Sequence, residues 1–305
     1  MKDLEISAPK SKIKYLEYSA KFVIVLVILF FFIRYIYTHW TSLAQYQWKF
    51  DYPLLIISLL LVIANFVFLV QIWRRMIFRM GCLLKFKKAF KIFFYSSMGK
   101  YVPGKLWSVV GMVYMCEKQG VAMKVSVTTA ILNQALNMIG GLLLVLIVSG
   151  TKFLGGLPKI AYLPLVLLLI IFIYPPFMER ALNVLLKLMK KESICINLSF
   201  RDNLVFTLLF MISWSIYGLA FNIFIRSLTP FSWSLMPFLS SAFAFSYIIG
   251  FLSVFVPGGL GVREGILVFY LSSFFPLPVA TLIALLSRLW MTAAEILCLA
   301  VSFRL

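Results

Sequence analysis

Val256-Pro257-Gly258-Gly259-Leu260-Gly261-Val262-Arg263-Glu264-Gly265 interrupts a long apolar run in the second half of the chain, and Gly99-Lys100-Tyr101-Val102-Pro103-Gly104-Lys105-Leu106-Trp107 interrupts another in the first. The shared Val-Pro-Gly decides the reading. Proline removes a backbone donor and glycine loosens the chain where a membrane helix would otherwise continue. Broken helices at matching places in two halves point to a transport site at their interface.

Outward from these breaks, the composition fixes the class. With 63% apolar residues, 17% aromatics and a mean hydropathy of +1.00 over 305 residues, the chain is too apolar for a soluble domain. We read an all-α polytopic membrane protein. Apolar runs near the ~20 residues that a bilayer demands fall at 22–37, 53–73, 125–149, 160–178, 204–225 and 281–303, about six full spans. Residues 89–115 and 235–275 are apolar but broken at Val-Pro-Gly and are expected to form re-entrant or broken helix pairs. Leu235–Val256 is alone long enough to cross, which is the other reading of the second pair.

The net charge of +19 raises nucleic acid as a partner, but no soluble domain is available to present a basic face. Topology explains the charge better. Most of the 29 Lys and Arg lie before the first span, in 74–124 and in 179–203, whereas the opposite side carries Lys49, Lys152, Lys159, Arg226 and Arg263. The positive-inside rule then puts the N-terminus in the cytoplasm and the protein in the cell (inner) membrane. The lysines ahead of the first span resemble a signal peptide, yet no cleavage pattern follows, so a retained span is expected.

Laid side by side, the halves 1–155 and 156–305 repeat one order: span, span, broken pair, span. The second series starts on the opposite face, so the single transmembrane domain 1–305 is expected to be two inverted repeats. The first break would then open from the cytoplasmic side and the second from the outside.

The two quoted segments resemble the signatures of the lysylphosphatidylglycerol synthase transmembrane (flippase-like) family, and the span pattern agrees over most of the chain. The resemblance implies a membrane domain associated with moving charged lipids between leaflets. Some members add a soluble aminoacyl-transferase domain after the spans; the chain ends at Leu305 without one, so synthase activity is not expected.

The residues support a lipid site independently. Pro257, Gly258, Gly259, Gly261 and Gly265 free the backbone, and a half-helix starting near Val262 would aim N–H groups and a partial positive charge into the break, where a lipid phosphate fits. Arg263 adds a planar, bidentate donor set; the plainer reading is a turn with Arg263 snorkelling to the headgroups. Arg288 and Glu295 lie two turns apart on one face of the last span, and Glu264 lies near the break that could meet that face. Glu264 and Glu295 would neutralise Arg263 and Arg288, or exchange protons during transport, a role no more favoured than simple helix packing. At the first break Pro103 and Gly104 are bracketed by Lys100 and Lys105, with Tyr101 and Trp107 suited to the interface; headgroup binding and topology anchoring explain the lysines equally well. Residues 83–95 alternate Lys and Phe like a helix lying on an anionic surface. Asn133 and Asn137 share a face of the third span ahead of Gly140 and Gly141, a possible cavity wall for which helix packing is the default reading, as it is for Ser213, Ser215 and Asn222.

Other chemistries lack parts. Gly259-x-Gly261 is followed by Glu264 rather than a third glycine, so a dinucleotide loop is excluded. His39 is the only histidine, which excludes a His-based triad or multi-His metal site. Cys82, Cys116, Cys195 and Cys298 have no metal spacing and read as free apolar fillers. No cofactor is expected, and no catalytic residue is assigned. The function expected is translocation of a phosphate-bearing lipid headgroup, from a phospholipid or a polyprenyl or glycolipid, with anionic lipids around it and a homo-oligomer as one possible assembly. Without a nucleotide loop, the driving force would be a gradient, the potential or a coupled ion. The alternatives are a non-transporting partner of a glycosyltransferase or other envelope enzyme, and a membrane-embedded lipid transferase.

Overall fold

The computed structural model describes residues 30, 33–101, 107–153, 158–188, 193–253 and 257–305. Among them the regular structure is helical: α1 (Trp40–Ala44), α2 (Tyr52–Arg79), α3 (Phe86–Ser97), α4 (Trp107–Glu117), α5 (Met123–Phe153), α6 (Leu163–Ile173), α7 (Pro175–Leu188), α8 (Phe200–Arg226), α9 (Met236–Leu252), α10 (Val262–Leu271) and α11 (Leu277–Phe303). By length and composition five stretches can cross a membrane: Tyr52–Arg79, Met123–Gly150, Phe200–Arg226, Trp233–Leu252 and Leu277–Phe303. Four match expected spans. The fifth bears on the second broken pair, because α9 with its preceding turn is long enough to cross. The expected first span, 22–37, lies largely outside the described residues, as does much of the first Val-Pro-Gly segment.

The span expected at 160–178 is not straight. Its axis turns by 91° between α6 and α7. Proline disfavours helical geometry in the residue before it, and Tyr174, ahead of Pro175-Pro176, leaves the helix at ψ 118°. Mean hydropathy misses this because the apolar run continues through the prolines. Residues 83–95 also depart from expectation. Ala89, Phe90, Ile92 and Phe94 are buried, and α3 stacks its rings on α2, with Phe94 5.6 Å from Phe66 and Phe93 6.1 Å from Trp73. The Phe stripe therefore packs into protein, while Lys87 and Lys88 are exposed.

Each half contains two long helices flanking a short pair: α2, α3, α4, α5 and then α8, α9, α10, α11. Between α3 and α4 lies the 3-10 turn Met98–Tyr101, and between α9 and α10 the 3-10 turn Pro257–Gly259. The packing follows the same exchange. α2 packs on α8; α5 on α8 has its counterpart in α11 on α2, α5 on α9 in α11 on α3, and α4 on α5 in α10 on α11. The two 3-10 turns also meet each other. The corresponding helices α2 and α8 run antiparallel: Arg79 at the end of α2 lies 3.4 Å from Asp202 at the start of α8, while the Lys49 and Asp51 N–H groups ahead of α2 donate to Leu228 and Ser227 O beyond α8.

Polar groups join the long helices where lipid offers no alternative partner. Asn222 Nδ2 donates to Gly218 O at 2.7 Å and Ser240 Oγ at 2.8 Å, tying α8 to α9. Trp290 Nε1 donates to Ser58 Oγ at 3.1 Å, tying α11 to α2. A Cβ on Gly140 would lie 3.0 Å from Phe210 Cβ, so this glycine lets α5 approach α8, as its small-residue pattern implied. Ser215 bonds within its own helix to Met211 O. Cys116 and Cys298 are buried and Cys82 is partly so; Cys195 is exposed and is not an apolar filler.

Candidate functional site

A cavity of about 300 Å³ lies where the halves meet. α3 contributes Ser96 and Ser97, α4 Ser108, α5 Asn133, Gln134 and Asn137, α9 Tyr247 and Gly250, the second turn Gly258 and Gly259, α10 Arg263, and α11 Arg288, Thr292 and Glu295. Its remaining wall is mostly apolar, including Phe66, Phe93, Phe94 and Met291. Arg263, Arg288, Glu295, Gly258, Gly259, Asn133 and Asn137 therefore share one chamber, while Glu264, Gly261 and Gly265 do not line it. Of the first-break residues, Pro103, Gly104 and Lys105 lie outside the described residues; Lys100 and Tyr101 belong by backbone to the 3-10 turn that touches Pro257–Gly259.

Arg263 is only 8% exposed. Its guanidinium lies over two rings of α9, 5.2 Å from the Phe243 centroid and 5.3 Å from that of Tyr247. These rings are four residues apart on one helix face, so a single turn of α9 supplies both. Nη2 of Arg263 is buried and has no hydrogen-bond partner among the described residues. A buried guanidinium nitrogen left unbonded costs free energy that an arriving oxyanion would recover. The snorkelling alternative does not fit this burial.

Among the other charges, Glu264 near the break meets the α11 face that carries Arg288. Glu264, 2% exposed at the side chain, receives Arg288 Nη1 at Oε1 over 2.6 Å. Its other oxygen, Oε2, accepts the Gly261 N–H at 2.7 Å. Arg288 Nη2 also donates to Gly258 O at 3.2 Å, so one arginine clasps the turn and the helix that follows it. At the α10 N-terminus, where a phosphate is expected, the protein's own carboxylate reaches back three residues and occupies one of the donors. The buried cationic donor without a partner among the described residues belongs to Arg263. Glu295, 8% exposed, lines the same chamber two turns along α11 from Arg288.

Glycines set this geometry. Gly258 and Gly261 have φ of 61° and 80°, a region that side chains resist. A Cβ on Gly259 would lie 2.4 Å from Gly250 O, and one on Gly250 would lie 2.8 Å from Arg263 Cβ. The first break repeats the device: a Cβ on Gly99 would lie 2.4 Å from Ser108 N. Gly250 was not singled out from sequence, nor were the rings of Phe243 and Tyr247. A lone Gly within an apolar helix and an i, i+4 aromatic pair signal packing in general, and only the partner identifies the role. Gly250→Val is expected to lower stability by about 1–3 kcal/mol through overpacking against Arg263. Thermal unfolding in detergent checks this; an unchanged midpoint would show that the approach is not tight.

In the polar stripe, Asn137 O accepts Trp214 Nε1 at 2.9 Å, which is helix packing, while Asn133 Oδ1 is buried without a partner among the described residues. Both side chains line the chamber.

The family model of the lysylphosphatidylglycerol synthase transmembrane region matches residues 18–297. The chain belongs to this family. The match takes in both Val-Pro-Gly segments and every ionic residue of the chamber, so the lysylphosphatidylglycerol synthase transmembrane region is here a multi-pass helical membrane domain tied to lipid handling. Among curated proteins, no match was found.

Proposed function

We propose that the chamber takes the phosphate of a lipid headgroup and carries it between leaflets while the acyl tails stay in the bilayer. The observation that carries this reading is the buried Arg263 Nη2 without a partner among the described residues, on a residue that lines the chamber beside the two 3-10 turns. A chamber near 300 Å³ is at the small end of ligand pockets and suits a headgroup rather than a whole lipid. Phosphate is the chemistry that Arg recognises best, through two parallel donors on one plane.

The antiparallel α2 and α8 and the exchangeable packing of the two halves support an inverted repeat. On that arrangement the breaks enter from opposite leaflets, and rocking of one half against the other exposes the chamber to each in turn. The basic residues set the N-terminus in the cytoplasm, in the cell membrane. The reading is transport without chemical conversion, with a phospholipid or polyprenyl-phosphate lipid as substrate.

Reconstitution into liposomes with a fluorescent phospholipid in both leaflets tests it. Chemical bleaching from outside should reach nearly all of the probe with protein and only the outer fraction without it. Bleaching equal to that of empty liposomes would remove transport and favour a non-transporting partner; recovery of a chemically altered lipid would favour a transferase.

A further inference from the structure

We propose that the groove along α7 is a second lipid site, separate from the central chamber, which holds the headgroup of an anionic phospholipid of the surrounding leaflet. α6 has eleven residues, about 16 Å, half a bilayer core, and the 91° turn at Tyr174 sends α7 sideways. If α6 follows the membrane normal, α7 lies in the interfacial plane. The side chains of α7 are sorted for that place. Phe177, Val184 and Leu188 form an exposed apolar stripe, Met178 faces the core, and Arg180, Asn183 and Lys187 form a third, polar stripe.

A cleft of about 730 Å³ runs beside the polar stripe. Its far wall is the 193–198 strand of loop, which two side chains of α7 hold in place. Asn183 Nδ2 donates to Ile194 O at 2.9 Å while its Oδ1 accepts the Ile194 N–H at 2.7 Å, and Glu179 Oε2 accepts the Ile196 N–H at 2.8 Å. Glu179 is thereby committed to the loop, and Arg180 and Lys187 line the cleft with no carboxylate within ion-pair distance among the described residues. Tyr174, Val184 and Phe200 supply an apolar lip beside them. Cation beside apolar wall is the pattern of a phospholipid at the interface: phosphate on the basic pair, first methylenes on the rings. The Arg79–Asp202 contact puts this groove at the same end of the bundle as Arg74, Arg75 and Arg79, the basic end that faces an anionic leaflet.

The test is native mass spectrometry of the full chain in detergent, titrated with phosphatidylglycerol or phosphatidylcholine. The parent should retain phosphatidylglycerol preferentially. Arg180→Ala with Lys187→Ala should weaken that retention by about thirtyfold, while Arg180→Lys keeps most of it. The double variant should still exchange a zwitterionic probe between leaflets, whereas loss at Arg263 would spare the phosphatidylglycerol preference; the two sites therefore fail separately. Equal retention of both lipids by the parent, or unchanged retention by the double variant, overturns the proposal. So does a parent that takes poly-glutamate in preference to phosphatidylglycerol, which would make the groove a protein-docking surface. Both changed residues are exposed, and circular dichroism confirms that the variant is folded.

Discussion

Arg263→Ala is expected to slow leaflet exchange roughly a hundredfold, equivalent to about 3 kcal/mol, the scale of a charged hydrogen bond in a site sheltered from water. The size follows from burial. A surface arginine lost to solvent-screened phosphate would matter little, but this residue is 8% exposed, lines the chamber and has a buried, unbonded nitrogen. Arg263→Lys keeps the charge and loses the plane that lies over Phe243 and Tyr247, so an intermediate rate is expected. Because Nη2 satisfies no protein acceptor, the alanine variant leaves no orphaned partner at that atom, and Arg263→Met serves as a volume control. Exchange at the parent rate in all three variants would end the role given to this residue.

Glu264→Ala is expected to have the largest effect on stability, a loss of about 3 kcal/mol. The carboxylate bonds both Arg288 and the Gly261 N–H, so its removal strands a charge and a helix-end donor together. Arg288 is 20% exposed at its side chain, which holds the expected loss to the lower part of the range for buried pairs. Removing both charges should be milder than removing either: Glu264→Gln with Arg288→Met is expected to regain more than half of the loss. Denaturation in detergent across the double-mutant cycle measures the coupling; additive single effects would show that the two groups are not a unit.

The two breaks and the ionic residues were legible in the sequence because each violates a rule of the bilayer. Proline and glycine stop a helix that lipid would rather see continue, and charge in hydrocarbon is rare enough to be noticed singly. The meeting of Glu264 with the Arg288 face was legible as well, but which acid pairs with which arginine was not: helical spacing places Arg288 and Glu295 on one face, and Glu264 reaches Arg288 because α10 packs on α11. At the α10 N-terminus the local bond was not legible: Glu264 at the third helical position is also a capping residue, and its side chain takes the Gly261 N–H. At Tyr174 the signal was present in Pro175-Pro176, and a hydropathy run long enough for a span masked it.

Two rings hold Arg263 still before any lipid arrives. A free arginine side chain carries about 2 kcal/mol of rotamer entropy, and here most of that loss belongs to folding, not to capture of the substrate. The guanidinium can accept a phosphate edge-on along one line of approach, without searching. Such a group does not need to grip hard to be selective. On the proposed reading, shallow, pre-aimed capture would leave a departing headgroup a low exit barrier and would favour turnover over tight retention.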